Sequence, residues 1–177
     1  MLKDLIEQDF EELGQVVGNI SDPEDNDLLY KVVNKKLIGF DEDEVLSTIY
    51  KVHLDLLEKD PKRGDKILQV TDRFIENASK KFNTNNLQAE LNKIKARTYL
   101  KVKVRNILWL PKKDISVSFY QNGKKIYERK TDEHGEIVLR NVPRKNLIIE
   151  VKLKNKSKEQ TLELNSYYTE KNIFSLI

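Results

Sequence analysis

The sequence predicts a two-part α+β protein: an N-terminal bundle of four or five antiparallel helices, then a seven-strand antiparallel Greek-key β-sandwich. Three observations predict it. Apolar residues recur at helical spacing up to about residue 97. Beyond that point they alternate with a period of two, in short runs separated by turn residues. Between two such runs stands Asn122-Gly123, the strongest short hairpin signal a sequence carries. The domains are therefore a helical bundle over 1–97 and a sandwich over 98–177. No Gly/Ser- or Pro-rich linker divides them, so the two parts are expected to abut.

Each helix has a start signal or an apolar stripe. Leu5, Ile6, Phe10, Leu13, Val16 and Val17 share one face of the first. Asp22-Pro23 opens the second with an N-cap and a first-position proline. Leu28, Leu29, Val32, Val33 and Leu37 follow, and Gly39 stops it. The third begins at Asp41, with Glu44 placed as in a capping box. Its acidic run, Asp41 to Glu44, lies at the positive end of the helix dipole. Val45, Leu46, Ile49, Tyr50, His53, Leu56 and Leu57 make its buried stripe. Asp60-Pro61 repeats the start signal ahead of Ile67, Leu68, Thr71, Phe74, Ile75, Ala78 and Phe82. Leu87, Leu91 and Ile94 mark a fifth helix.

The strands are equally regular. Tyr99 to Arg105 alternates Leu100, Val102 and Val104 with Lys101, Lys103 and Arg105. Ile115, Val117 and Phe119 lead into the hairpin, and Ile126 lies on its return. Thr131-Asp132-Glu133-His134-Gly135 forms a polar turn, in which Asp132 can bond its own backbone and Gly135 can take positive φ. Ile137 and Leu139 then share a face, and Pro143 closes the run. Leu147, Ile149, Val151 and Leu153 alternate next. The last strand is expected at about Lys171 to Ile177.

The order of a hairpin, then T-D-x-x-G-x-x-x-L-x-x-V-P over Thr131–Pro143, then an alternating strand, resembles transthyretin-like sandwiches. That group includes the carboxypeptidase regulatory-like and collagen-adhesin B-type repeats. The resemblance covers residues 98 to 177 and implies a spacer, stalk or docking module rather than a catalyst. The enzymatic branch, hydroxyisourate hydrolase, needs several His and Arg residues and a Tyr-Arg-Gly-Ser tail. This region holds one His and ends Ile173-Phe174-Ser175-Leu176-Ile177, so that activity is not carried over. The adhesin repeats also form Lys–Asn isopeptide bonds from a core-facing Lys. Lys101 and Lys103 are out of phase with Leu100 and Val102, so no such bond is expected.

Composition bounds the chemistry. With 38% hydrophobic and 34% charged residues, the 177-residue chain has enough apolar material for a core. Without cysteine, no disulfide, thiolate metal site or cysteine nucleophile can form. No run approaches the ~18 apolar residues of a membrane span, and the acidic start lacks signal-peptide character, so a cytoplasmic protein is expected. Residues 1–60 hold 6 Lys/Arg against 16 Asp/Glu; residues 61–177 hold 26 against 13. This gradient suits internal docking, a basic face for a polyanion, or plain solvated surface.

The remaining motifs are bland. His53 lies in an apolar stripe without a second ligand at i+4, which suits a hydrogen-bonded core histidine better than a metal site. His134 falls in an exposed turn. Asp22 to Asp27 lacks the Gly of a calcium loop, and its twelfth position is Val33 rather than Glu. Arg63-Gly64-Asp65 falls in a helix turn and is read as chance. The Gly residues are scattered, so no phosphate loop exists. No catalytic residue, cofactor or metal ligand is assigned. One constellation remains: Lys101, Lys103 and Arg105 along one strand, followed by Trp109, Lys112 and Lys113, with Lys152 and Lys154 as an extension. Basic side chains beside an aromatic suit phosphate contact and base stacking. An outward face kept soluble by Lys is the competing explanation, as is a loop Ile107–Leu110 that packs on the helical part. The functional expectation is a non-catalytic protein–protein interaction or adaptor module, with a protein partner or self-association. Nucleic-acid binding through the basic face is the alternative.

Overall fold

The computed structural model describes residues 2–18, 41–153 and 156–174. The chain divides into two compact units, Met1–Lys95 and Ala96–Ile177. It is an α+β protein with the helices N-terminal. Among the described residues no helix is long and apolar enough to cross a membrane. The helix expected over Asp22–Gly39, with its calcium-like run, lies outside the described residues.

The helical unit contains α1 (Leu2–Val17), α2 (Glu42–Lys59), α3 (Gly64–Ser79) and α4 (Asn85–Lys95). Asp41 caps α2 by accepting the amide of Asp43, rather than through a reciprocal bond with Glu44. Asp60-Pro61 opens a short 3-10 turn, Pro61–Arg63, before α3. Proline suits that position because the first amides of a helix have no partner within it. Gly64 and Asp65 begin α3, so the Arg-Gly-Asp tripeptide is built into helical structure. The centrally placed α3 packs on α1, α2 and α4. Its Ile67, Val70, Phe74, Ile75 and Ala78 are buried with Ile6 and Leu13 of α1 and Ile49 and Leu57 of α2.

Only Ala96 separates α4 from the first strand. The strands are β1 (Arg97–Arg105), β2 (Ser116–Gln121), β3 (Lys124–Lys130), β4 (Glu136–Pro143), β5 (Leu147–Leu153), β6 (Lys156–Leu162) and β7 (Tyr168–Phe174). One sheet has the order β4-β1-β7, the other β3-β2-β5-β6. All pairings are antiparallel except β1 with β7, which is parallel. An all-antiparallel arrangement is thus corrected at that one ladder. The last strand also begins three residues earlier than expected, at Tyr168, because Tyr168 and Glu170 stand opposite Tyr99 and Lys101. Inward residues from both sheets form one core: Leu100, Val102 and Val104 meet Val117, Phe119, Ile149 and Val151. Asn122 (φ 52) and Gly123 (φ 73) take left-handed conformations in the β2–β3 turn, as a two-residue hairpin of that type requires.

Candidate functional site

The Thr131–Pro143 motif organises the end of the β unit where the site residues gather. Asp132 Oδ1 accepts the amides of His134 (2.9 Å) and Glu136 (2.8 Å), closing the turn ahead of β4. These bonds hold its carboxyl below the usual aspartate range. Gly135 has φ 69, and a Cβ there would stand 2.7 Å from the Val104 carbonyl oxygen and 2.8 Å from the Lys112 amide. The motif glycine is therefore required by both conformation and space. Buried Thr131 donates to the Lys112 carbonyl and accepts the Ile115 amide. The turn is thereby fastened to the β1–β2 connection.

That connection carries the apolar loop. Asn106 Oδ1 accepts the amides of Leu108 and Leu110, each at 2.9 Å, and its carbonyl accepts the amide of Trp109 at 3.0 Å. The Asn106 amide donates to the Leu110 carbonyl. One asparagine thus closes the loop from within. Trp109 is held in the left-handed region at φ 63, which costs a non-glycine residue energy. Its ring meets Phe174 of β7 edge to face, with centroids 4.8 Å apart. Ile107, Leu108, Trp109 and Leu110 remain 71%, 70%, 64% and 55% exposed.

The basic residues divide into two sets. Lys101, Lys103 and Arg105 lie on the outward face of β1, as alternation implies, between two acidic neighbours. Glu136 of β4 lies 2.8 Å from Lys101, 3.8 Å from Lys103 and 3.7 Å from Arg105. Glu170 of β7 reaches Lys103 at 2.5 Å. Arg105 also donates to the His134 carbonyl at 2.6 Å. The bond to Glu136 holds the Lys101 ammonium above its ordinary pKa. Tyr168 donates to Glu170 and stacks on Tyr99, while the Arg140 guanidinium lies 6.0 Å from the Tyr99 ring. The strip is consequently a mixed, internally paired face rather than an open cationic one. Lys112 and Lys113 stand apart in the loop beside Trp109. Lys112 makes no ion pair among the described residues, and Lys113 lies 3.7 Å from the exposed Glu133. Lys152 belongs to β5 in the other sheet and does not prolong the β1 strip, and Lys154 lies outside the described residues.

The sequence reading missed Glu136 and Glu170 as partners of the strip. Residue spacing within one strand carries no information about its neighbours, although a Glu at an outward position of each flanking strand was a usable signal. It also missed the partner of His53. His53 Nε2 lies 2.7 Å from Asp9 Oδ2, and Nδ1 lies 2.7 Å from Thr71 Oγ1. All three residues are buried. Thr71 gives its own hydrogen to the Ile67 carbonyl, so Nδ1 must donate to Thr71. One proton then sits between Nε2 and Asp9. Burial pushes the Asp9 carboxyl up, against the downward pull of the hydrogen bond to His53. Asp9 Oδ1 is buried without a hydrogen-bond partner among the described residues, and Asp9 lines a small cleft together with Gln8, Glu12 and Arg73. Thr71 resembles a nucleophile beside a base–acid pair, but its hydroxyl is buried within a helix and bonded to the carbonyl one turn back. No group of three or more potential metal ligands occurs among the described residues.

No family model matches the chain, and no curated protein matches it either. Solved structures do. The 5-hydroxyisourate hydrolase of Klebsiella pneumoniae aligns over 45% of this chain and 90% of its own, at 11% identity and a TM-score of 0.40. The major pilin subunit of Bacillus cereus aligns over 46% of this chain and 30% of its own, at 13% identity and 0.38. An (S)-allantoin synthase aligns over 99% of this chain and 96% of its own, at 10% identity and 0.39. At these scores none assigns an activity to this chain.

Proposed function

We propose that this chain is a non-catalytic interaction module: an adaptor whose β unit, a Greek-key sandwich of the transthyretin-like kind, holds another component of an assembly. The β1–β2 loop carries this reading. It exposes four consecutive large apolar side chains on a backbone closed by Asn106, a preformed contact surface rather than a solvated turn. Native fractionation of the tagged chain from its host tests it, comparing wild type with Ile107→Ser/Leu108→Ser. A component retained by wild type and lost by the variant supports the reading. A chain that stays alone in both forms overturns it.

Polyanion binding is the second reading, favoured by Lys112 and Lys113 beside Trp109. The acidic partners of Lys101, Lys103 and Arg105 weigh against it, since a phosphate would have to displace Glu136 and Glu170. Titration with single- and double-stranded oligonucleotides across a salt series decides. Micromolar affinity falling steeply with salt would support it, and absence of binding would remove it.

A further inference from the structure

Three properties of the β1–β2 loop bear on what it touches. Its tip is a run of Ile107, Leu108, Trp109 and Leu110, each more than half exposed. The amides of Leu108, Trp109 and Leu110 are all taken up by Asn106, so three of the tip's four backbone donors are already bonded, which lowers the cost of bringing it into the interfacial region. Lys112 and Lys113 follow at its base, on a unit that holds 18 Lys/Arg against 9 Asp/Glu, a net charge of +9 over residues 96–177. Asp114 follows Lys113 in the chain and Glu133 lies 3.7 Å from its ammonium, and these two only partly offset the charge.

We propose that Ile107–Leu110 is a wedge that inserts into the interfacial region of an anionic lipid bilayer, with Lys112 and Lys113 against the anionic headgroups. The inference rests on the docking reading above and names the loop's partner. A bilayer suits the tip better than a protein groove. Four residues are only part of the roughly 800 Å² per partner that a stable protein interface buries, so a protein partner would need further surface around the loop, whereas a membrane needs no matching shape. Tryptophan favours the membrane–water interface, and an apolar anchor beside basic residues gives the two signals of reversible attachment. A second copy of the chain is disfavoured, because it would bring one positively charged unit against another. Trp109, left-handed at φ 63, stays 64% exposed although its ring meets Phe174 edge to face, so the indole is available to the interface.

The chain contains a single tryptophan, so the tip carries its own probe. The purified full chain is mixed with vesicles of phosphatidylcholine, or of phosphatidylcholine with phosphatidylserine. With phosphatidylserine present, Trp109 emission should shift to the blue, brominated lipid should quench it, and protein should sediment with the vesicles. Binding to phosphatidylcholine alone should be weaker. Ile107→Ser and Leu108→Ser should each lower the partition coefficient about tenfold with an unchanged circular dichroism spectrum. Lys112→Glu/Lys113→Glu should remove the preference for phosphatidylserine. Unshifted emission with all protein in the supernatant would overturn the inference. So would binding that ignores both serine substitutions and disappears in salt, since that is adhesion without insertion. Should vesicles fail while loop-dependent co-fractionation of a protein persists, the bilayer assignment falls and the docking reading stands.

Discussion

Thr131 Oγ1 donates to the carbonyl of Lys112 at 2.5 Å, and the same oxygen accepts the Ile115 amide at 2.9 Å. One buried hydroxyl thus fixes both ends of the segment that follows the apolar loop. Thr131→Val keeps the shape and leaves both backbone groups without this partner. It is expected to cost about 1–3 kcal/mol, read as a lower denaturation midpoint at unchanged slope.

Gly135 faces a stricter requirement. Gly135→Ala puts a methyl against the Val104 carbonyl and the Lys112 amide while retaining positive φ. A loss of at least about 1–3 kcal/mol is expected, larger than for Gly123→Ala, where nothing lies near the new methyl. Thermal melts of the two variants side by side make the comparison.

The buried pair in the helical unit predicts a pH dependence. The Asp9 carboxyl is raised by burial, so above its ordinary value of 3.8 the folded state keeps a proton that the unfolded chain has released. Stability contributed by that proton is full below the ordinary value and is lost as pH rises through the folded one. Asp9→Asn, whose amide can donate to His53 Nε2, should keep the fold and remove this part of the slope. Urea midpoints from about pH 4 to about pH 7 for both proteins test it, and identical slopes would assign the effect elsewhere. Asp9→Ala should cost about 3 kcal/mol, since His53 then loses its partner in the core.

Glu136 predicts a gain rather than a loss. Glu136→Gln removes the charge shared by Lys101, Lys103 and Arg105, and the Lys101 pKa should fall, because its hydrogen bond to Glu136 is what raises it most. The partly solvated setting, with Glu136 20% and Lys101 26% exposed, keeps the stability change to about 1 kcal/mol. Oligonucleotide affinity at low salt should rise if this face can hold a polyanion at all. Fluorescence anisotropy before and after the substitution gives the answer.

Much of the architecture was legible locally. Period-two alternation placed Leu100, Val102 and Val104 inward; Asn122-Gly123 marked the hairpin; and Asp132 with Gly135 specified the turn. These signals act within a few residues, where backbone sterics and short hydrogen bonds decide. The site was legible in composition but not in state. Lys101, Lys103 and Arg105 stand on the expected face, yet their neutralisation depends on Glu136 and Glu170, whose strands flank β1 only after folding. Likewise His53 could be placed in a core stripe, but Asp9 lies 44 positions away on another helix. The parallel β1–β7 ladder was invisible for the same reason, since no turn chemistry encodes a pairing between distant strands.

That ladder has a consequence for how the molecule is made. Tyr99 of β1 lies opposite Tyr168 of β7, 69 residues later. As the chain leaves the ribosome, the helical unit emerges first and can pack on its own. The central strand of the β4-β1-β7 sheet must keep one edge unpaired, and the core must lack Ile173, until the segment through Phe174 has been synthesised. Nascent chains halted before β7 should therefore be protease-sensitive in their β half and protected in their helical half.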